Sequence, residues 1–454
     1  MEILKQLNRF VWGVPALVLI LGVGLYLSCR TGFAQLRLFP GALKRFLSRF
    51  LKREESDGVS PFQALCTALA ATVGTGNLAG VAGAIAIGGP GAIFWMWICG
   101  ILGMVTKYAE ATLAVRYQVQ SADGTYSGGP MQMITGGLGK SWRPLSLCYS
   151  FFGVVACFGV GNCTQINAVI TGFHEVTGQF GIRMSARWDL ILGVIFGLLV
   201  TAMLLGGARR IGEAAERLVP FAAGVSILLS VGLLIQQADR VPEALYRIVA
   251  GAIDPKAVTG GAVGSAFMAL RIGVSRGVFT NEAGMGTASM AHGSAKVDHP
   301  AEQGMMGIME VFLDTLVICT LTALVILVSG VEIPYGMDVG LELTNRAFSA
   351  VYGSWVSIVI TLETCCFAFA TVLGWGLYGA KCAEFLFGKN VWKYFAWCQG
   401  FTVVFASLWD TATVWLLADT VNGLMTIPNL LALVFLTPEL IRLTKEYIGR
   451  KLLR

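Results

Sequence analysis

Long apolar runs repeat along this chain from end to end, and they constrain its fold more than any other feature. A helix that crosses the hydrocarbon core of a bilayer needs roughly 20 mostly apolar residues, and short polar stretches separate one such run from the next. Only 13% of the 454 residues are charged, about half the share found in ordinary soluble domains. The sequence therefore predicts an all-α polytopic membrane protein with little room for a separate soluble domain.

Eleven segments are long and apolar enough to predict a crossing. They are 10–28, 61–86, 91–118, 145–174, 188–207, 216–236, 260–290, 303–330, 349–387, 391–408 and 428–445. The ninth is long enough to include an interfacial turn, and 411–427 is too polar to count. We interpret the first run as a retained helix, because it lacks the small-residue cleavage site of a signal peptide.

The distribution of basic residues predicts the orientation, because cytoplasmic loops carry an excess of Lys and Arg. With eleven crossings, 23 of the 33 basic residues fall on one side and eight on the other. Arg271 and Arg276 lie within the seventh segment. We expect a plasma (inner) membrane protein with its N-terminus outside and its C-terminus in the cytoplasm. The net charge of +6 follows from this bias and does not indicate a nucleic-acid partner.

Two of the apolar runs contain hydrophilic notches. The first, Ala70 to Asn77, holds two glycines around a threonine, and the second, Gly277 to Thr287, holds a Gly-x-Gly beside threonine, asparagine and glutamate. Inside a bilayer the backbone leaves a helix only where protein, water or a bound solute satisfies its freed polar groups. A lone Gly-x-Gly is usually a packing contact. Two notches with hydrogen-bonding neighbours instead favour two broken helices that bind a polar solute.

The position of the notches predicts the architecture. If 10–28 is set aside, they fall in the first and sixth of ten helices, where a five-plus-five inverted repeat would place a matching pair. We divide the chain into an extra helix with a basic segment (1–60), two five-helix repeats (61–236 and 237–445) and a tail (446–454). In this arrangement the N-termini of the half-helices face an anion, and their C-termini and free carbonyls face a cation. This pattern suits a zwitterionic amino acid together with sodium.

Several blocks of the sequence resemble the alanine or glycine:cation symporter family, the sodium:alanine symporters. They are Ala64–Tyr117, Ser127–Met131, Gly277–Gly286, Leu373–Trp375 and Asn422–Asn429. The likeness runs nearly from end to end. It implies the leucine-transporter-type fold with one extra N-terminal helix, and import of a small neutral amino acid with Na⁺ as the coupling ion. It leaves open whether that amino acid is alanine, glycine, serine or glutamine.

The resemblance also implies roles for individual residues. In the first notch, Thr75 and Gly76 would hold the substrate carboxylate, and Asn77 would contact the substrate or the ion. Gln165 would reach the substrate from the fourth segment, and Trp375 would close over its small side chain.

The second notch and the sodium site are assigned on the same basis. The second notch would line the pocket through Phe279, Thr280, Asn281 and Gly284. Sodium would be held by the carbonyls of Ala70 and Val73 and by the Thr371 side chain.

One departure from the family pattern concerns the ion. The family usually has a serine before this threonine, where the present chain has Ala370. Since sodium takes several hard oxygen ligands, the loss of one leaves proton coupling open as an alternative. A passive channel is a second, less favoured alternative. No Walker loop or HExxH motif indicates an enzyme.

Ionisable residues within apolar spans are costly and are therefore functional candidates. Lys107 and Glu110 stand three residues apart on one helix, which predicts a mutual ion pair. We expect Glu282 to cap amides freed by the second notch, with uptake of a proton as the alternative. Asp314 and Glu363 receive no role beyond buried pairing or hydration. The three histidines, at 174, 292 and 299, fall near predicted helix ends, where we expect them to be solvated.

Overall fold

The computed structural model describes residues 2–51, 58–120, 124–261, 263–337, 339–409 and 411–452. Helices dominate these residues. Those up to residue 236 are α1 (Glu2–Val11), α2 (Val14–Thr31), α3 (Ala34–Arg37), α4 (Phe39–Leu51), α5 (Pro61–Thr72), α6 (Val81–Gly88), α7 (Gly91–Arg116), α8 (Pro130–Met133), α9 (Arg143–Phe158), α10 (Thr164–Gln179), α11 (Ala186–Leu204) and α12 (Gly207–Gln236). A short antiparallel pair, β1 (Val119–Gln120) and β2 (Tyr126–Ser127), follows α7.

The remaining helices complete the bundle. They are α13 (Val241–Ile253), α14 (Pro255–Thr259), α15 (Ala266–Asn281), α16 (Ser289–His292), α17 (Pro300–Val311), α18 (Thr320–Val328), α19 (Leu341–Tyr352), α20 (Val356–Phe387), α21 (Trp392–Ala406) and α22 (Thr411–Leu452). π-Helical segments occupy Gly76–Gly80, Ile134–Leu138, Gly159–Cys163 and Phe312–Cys319. 3₁₀ turns occupy Lys140–Trp142, Ala238–Arg240 and Lys389–Val391.

Nine spans in the described part of the chain are long and apolar enough to cross a membrane. Eight are continuous or nearly so, and the ninth is α5 together with the helix that follows it. The predicted seventh and tenth crossings correspond to α15, of 16 residues, and α21, of 15 residues. Both are shorter than a straight crossing needs. The polytopic all-α class is confirmed, and the count of eleven stays a prediction.

Two predicted boundaries change. The predicted segment 349–387 divides into α19 and α20, with Gly353 in a left-handed conformation at the turn. The last crossing, predicted at 428–445, lies inside the 42-residue helix α22, of which Thr420–Arg450 has the length and apolarity of a span. The polar stretch before 428 is part of this helix, and its Thr420 and Gly423 pack against Asn8, Val11 and Trp12.

The first notch interrupts its helix. Helix α5 begins with Pro61 in its first turn, and the Ser60 hydroxyl accepts the Gln63 amide, a standard N-cap. It ends at Thr72, and Val73 adopts an extended conformation. The helix resumes at Gly76, and the two helical parts, Pro61–Thr72 and Gly76–Gly88, are bent by 52° relative to each other. We call residues 73–75 the first break.

The second notch interrupts its helix later than its glycines suggest. Helix α15 continues through Asn281, and Glu282 then adopts a left-handed conformation with φ of 54°. Helix resumes only at Ser289, for a single turn. We call residues 282–288 the second break. Phe279, Thr280 and Asn281 are therefore still helical, although they stand directly before it.

Packing brings the two breaks together in the interior. Helix α7 packs against both α15 and α17, and α5 packs against α12 and α20. Helix α20 also contacts α9 and α10. The residues of both breaks are buried throughout. At both breaks the non-helical backbone is thus surrounded by protein, as the bilayer requires.

Candidate binding site at the two breaks

The first break redirects the hydrogen bonds that would normally continue α5. The Gly74 amide donates to the Asn77 side-chain oxygen at 2.9 Å, and the Asn77 amide donates to the Gly74 carbonyl at 3.2 Å. In a regular helix these two amides would bind the carbonyls of Ala70 and Val73. The two carbonyls predicted to hold sodium have thus lost their usual donors.

Helix α20 brings a hydroxyl to the same place. The Thr371 oxygen is buried and has no hydrogen-bond partner among the described residues. A Cβ added to Gly74 would lie 2.6 Å from this oxygen, so only glycine allows α20 to approach so closely. Carbonyl and hydroxyl oxygens are hard ligands of the kind that sodium prefers. The predicted sodium ligands therefore fit a cation chemically.

Thr75 and Gln165 meet at the same break, where a Cβ on Gly74 would also lie 3.5 Å from the Gln165 side-chain oxygen. The Thr75 hydroxyl donates to the Gln165 side-chain oxygen at 3.1 Å, and the Gln165 amide group donates to the Val160 carbonyl at 3.1 Å. Val160 lies in the π-helical segment between α9 and α10. This segment exposes a carbonyl that orients Gln165 towards the break, which agrees with the frequent use of π-bulges at functional sites.

Phe279, Thr280 and Trp375 lie close to the backbone of the first break or of the π-helical segment before Gln165. A Cβ on Gly76 would lie 3.2 Å from Thr280 and 3.3 Å from Phe279, so the two broken helices touch here. A Cβ on Gly161 would lie 2.2 Å from the Trp375 Cβ, so Trp375 packs directly on the π-helical segment that precedes Gln165.

Asn77 and Asn281 are connected through two residues that the sequence reasoning did not assign. The Asn77 side chain donates to Asp314 at 2.7 Å, and the Thr315 hydroxyl donates to the other Asp314 oxygen at 2.7 Å. Asn281 in turn donates to the Thr315 hydroxyl at 3.1 Å. This chain of side chains runs from the first break to the end of α15.

Gly284 lies in a different environment from the other predicted site residues. Its amide donates to Glu110 Oε1 at 2.9 Å, and its carbonyl accepts from the Asn429 side chain at 2.9 Å. The Gly286 amide and Asn429 also donate to Glu110 Oε1, at 3.1 and 2.7 Å. Both backbone polar groups of Gly284 are thus engaged by α7 and α22, away from the Thr75–Gln165 pair.

Two predictions about charged residues are wrong. Glu110, and not Glu282, caps the amides of the second break, whereas Glu282 accepts from the nearby Thr287 hydroxyl. Lys107 pairs with Glu310 on α17, at 3.1 Å, and not with Glu110. Sequence spacing placed Lys107 and Glu110 on one face of α7, but the tertiary structure gives each residue a different partner. Glu310 of α17 reaches Lys107, and the second break and Asn429 of α22 reach Glu110.

The prediction of solvated histidines is also wrong for two of the three. His292 is fully buried and contacts Glu310 at 2.8 Å and Gln303 at 2.7 Å. His299 is 5% exposed and caps α17, where its ring nitrogen accepts the Ala301 amide. Both residues stand at helix ends, as predicted, but these ends lie inside the bundle.

One end of the site is covered by α19. The Thr344 hydroxyl donates to the Leu78 carbonyl at 3.0 Å, and the Asn345 side chain donates to Glu175 on α10. At the opposite end, near Ser60 and Gln63, lies a cavity of about 1690 Å³. The predicted site residues do not line this cavity. Helix α19 thus contacts the site region at one end, and the cavity at the other end has no predicted site residue in its lining.

The geometry defines a class of protein: a helical membrane carrier with two interrupted helices around a polar, buried centre. The solved structure of MhsT in complex with L-phenylalanine has the same fold, with a TM-score of 0.60. The match covers 86% of this chain and 99% of MhsT at 14% identity. The leucine-transporter-type fold is thus confirmed, and the extra N-terminal helix stays a prediction.

The chain belongs to the sodium:alanine symporter family, whose model matches residues 1–452. It is 42% identical over 452 residues to an uncharacterized transporter of Haemophilus influenzae, with 99% of this chain and 96% of the relative covered. It is 39% identical over 450 residues to the sodium/alanine symporter AgcS of Methanococcus maripaludis, covering 98% and 97%. The probable sodium/glutamine symporter GlnT of Bacillus subtilis is 36% identical, covering 98% and 90%. These relatives are transporters, and the chain is accordingly a multi-pass membrane transporter.

Proposed function

We propose that this protein is a sodium-coupled symporter that imports a small neutral amino acid by alternating access. The observation that carries the proposal is the first break, where two carbonyls without their usual amide donors and one unpartnered hydroxyl lie beside the Thr75–Gln165 pair. The carbonyls of Ala70 and Val73 with Thr371 would bind sodium. A bound cation and the backbone of Thr75 and Gly76 would together attract the carboxylate of an amino acid.

The proposed pocket is small. Gly76 faces Phe279 and Thr280 across a gap that would not accept even a Cβ without adjustment. Trp375 is fully buried and packs on the Gly161 backbone. Walls this close favour an amino acid the size of alanine or glycine, and the name of the relative AgcS supports alanine.

The direction of transport rests on the proposed topology, with the N-terminus outside and the C-terminus in the cytoplasm. Ser60 and Gln63 then face the cytoplasm, and α19 lies on the outer side. The contact of Thr344 with Leu78 closes the outer path, and the large cavity lies on the inner path. Sodium and substrate would each favour the same closed state. Because of this reciprocal coupling, the inward sodium gradient would drive uptake of the amino acid.

Proton coupling remains the second candidate, and Ala370 is the observation that favours it. Ala370 is buried beside Thr371 and offers no oxygen where the family usually has a serine. A sodium site with one ligand fewer binds its ion more weakly.

Uptake by purified protein in liposomes separates these candidates. Labelled alanine is offered with an inward sodium gradient, with choline in place of sodium, and with choline plus an inward proton gradient. We expect uptake only with sodium. Uptake with choline and a proton gradient would support proton coupling, and uptake in choline without any gradient would indicate a passive pathway.

The substrate is then defined by counterflow. Liposomes loaded with unlabelled alanine, glycine, serine or glutamine exchange it for external labelled alanine at equal sodium on both sides. We expect the fastest exchange with alanine and glycine. Faster exchange with glutamine than with alanine would contradict the small pocket.

A further inference from the structure

His292 and Gln303 belong to a buried polar cluster that the proposed function does not use. His292 ends the one-turn helix α16 after the second break, Gln303 lies on α17, and both are 0% exposed. His292 Nε2 contacts Glu310 at 2.8 Å, and the Gln303 amide nitrogen contacts His292 Nδ1 at 2.7 Å. The same nitrogen donates to the Pro61 carbonyl, in the first turn of α5, at 3.3 Å. The cluster thus links the first broken helix to the second.

These contacts define the protonation state of His292. Glu310 forms an ion pair with Lys107, so it is a carboxylate that only accepts, and the ring must carry its proton on Nε2. An amide nitrogen only donates, so Nδ1 must be an unprotonated acceptor. The ring is therefore neutral in this arrangement. Gln303 uses one amide hydrogen for His292 and the other for Pro61.

A proton on Nδ1 is incompatible with this arrangement. It would point at the amide hydrogens of Gln303, so the amide would have to turn its oxygen towards the ring. That oxygen has no hydrogen-bond partner among the described residues and is available to accept. The same turn takes the amide nitrogen away from the Pro61 carbonyl. Protonation of His292 Nδ1 and the bond from Gln303 to Pro61 therefore exclude each other.

Carboxylates near His292 can compensate a positive charge on its ring. Helix α16 packs against α5, α7 and α20, and α17 supplies Glu310. The buried titratable side chains of these four helices are Cys66, Cys99, Lys107, Tyr108, Glu110, Glu310, Glu363, Tyr378 and Cys382. Tyrosine and cysteine are ordinarily neutral near pH 7. Lys107 is shared by Glu110, Glu310 and Glu282 of the second break, so one cation accompanies three carboxylates. A second cation at His292 would not be left without a counter-charge.

The cluster lies beside the large cavity, which is on the cytoplasmic side in the proposed topology. Ser60 directly precedes Pro61, Ser294 lies two residues after His292, and both serines line this cavity. Protons from the cytoplasm therefore reach the neighbourhood of the cluster through the cavity. The bond from Gln303 to Pro61 holds the end of α5 that lies closest to this cavity.

We propose that His292 Nδ1 is a proton-binding site that controls the cytoplasmic end of α5. While the ring is neutral, Gln303 ties Pro61 to α17 and holds this end of the first broken helix in place. When Nδ1 takes up a proton from the cavity, Gln303 turns, the tie is lost, and the start of α5 can move to open the inner path. This proton is separate from the coupling ion, because His292 contacts none of the proposed sodium ligands. Only its effect on transport rests on the proposed function.

The test measures how readily a thiol on α5 reacts. Cys66 lies five residues after Pro61 and is 1% exposed, so its alkylation by a maleimide requires movement at this end of α5. Purified protein in detergent, without sodium or amino acid, is treated at about pH 8 and about pH 5.5, on either side of the ordinary titration range of histidine. Mass spectrometry of the Cys66 peptide gives the rate. His292→Gln cannot take up the proton but can still donate to Glu310, so it provides the reference rate at each pH.

We expect the natural protein and His292→Gln to react equally fast at about pH 8. At about pH 5.5 the natural protein should react about fivefold faster than His292→Gln, the effect of losing one hydrogen bond. Gln303→Leu lacks the tie and should exceed His292→Gln about fivefold at both pH values. Equal rates for the natural protein and His292→Gln in acid would overturn the inference. A rate for Gln303→Leu no higher than that of His292→Gln would also overturn it.

The matched control is His299→Asn. His299 is a second buried histidine, and it caps α17 by accepting the Ala301 amide, which asparagine can also do. This variant should react as the natural protein does at both pH values. If His292→Gln does not fold, the natural protein is compared with Gln303→Leu. The ratio of their rates should then be about one in acid and about one fifth in alkali, and a ratio that does not change with pH contradicts the proton site.

Efflux separates this inference from the proposed function. Liposomes loaded with labelled alanine and sodium are diluted into choline, at equal pH on both sides. Acid should accelerate efflux through the natural protein relative to His292→Gln, and the same pH dependence in both proteins would contradict control by His292. Absence of sodium-dependent efflux from every protein would instead contradict the proposed symport, and the reaction of Cys66 would still decide on the proton site.

Discussion

The first break covers three residues, 73–75, whereas the second covers seven, 282–288. At the first break the side chain of Asn77, two residues beyond it, satisfies the Gly74 amide, and two carbonyls lose their usual donors. At the second break a carboxylate from another helix, Glu110, accepts two amides and holds α22 through Asn429. The first break is thus free to bind a solute, and the second is fixed by the protein. Each prediction below tests this difference.

The largest effect is expected from Glu110→Ala. The substitution leaves the Gly284 and Gly286 amides buried without an acceptor, at roughly 1–3 kcal/mol for each. We expect the variant to lose about 3 kcal/mol of stability and nearly all transport, measured as melting temperature in detergent and as uptake. Glu110→Gln, which keeps an acceptor oxygen, should lose less. Equal melting temperatures for Glu110→Ala and the natural protein would contradict the capping role.

A smaller effect, confined to the ion, is expected from Thr371→Val. The change removes one proposed sodium ligand and leaves the volume nearly constant, so the half-saturating sodium concentration should rise about tenfold. The melting temperature without sodium should not change. Thr364→Val is the control, because the Thr364 hydroxyl is buried on the same helix but donates to its own Ile360 carbonyl. A similar loss of sodium affinity in both variants would argue against a ligand at 371.

Thr75→Val tests the substrate side of the first break. It removes the hydrogen bond to Gln165, so Gln165 is less well oriented. Since one neutral hydrogen bond contributes about 1 kcal/mol, alanine affinity should fall about fivefold. Binding of labelled alanine at saturating sodium measures this effect. A change in sodium affinity with no change in alanine affinity would place Thr75 with the ion instead.

The smallest effect is expected from Ala370→Ser. A serine hydroxyl at this buried position would add an oxygen beside Thr371 and lower the half-saturating sodium concentration by about threefold. Uptake at varied sodium measures the change. If the sodium dependence is the same in both proteins, position 370 lies outside the ion site.

Much of the first break could be predicted from the sequence. Gly74 and Gly76 within an apolar run mark the interruption, and Thr75 and Asn77 indicate its polar character. The structure places Thr75 against Gln165 and Thr371 against Gly74, so residues from three separate spans meet as the family resemblance implies.

The second break was less predictable. The glycines indicated where the second break lies, but α15 continues to Asn281. The acceptor of the amides in this break is Glu110, which stands more than 170 positions earlier in the chain. Lys107 and Glu110 were recognised as unusual within an apolar span. Their spacing supported a mutual pair because local geometry was the only information available. The packing of α17, α22 and the second break around α7 decided otherwise.

The sequence by itself determined that the chain lies in a membrane, that two of its helices are interrupted and which family it belongs to. These properties depend on runs and motifs that are continuous along the chain. Only the tertiary structure decided which partner each buried charge has, that Asp314 joins the two breaks, and that Gly284 is held by Glu110 and Asn429. The physical reason is that a buried polar group must find its partner across helix interfaces, and the rotation and depth of each helix are set by packing.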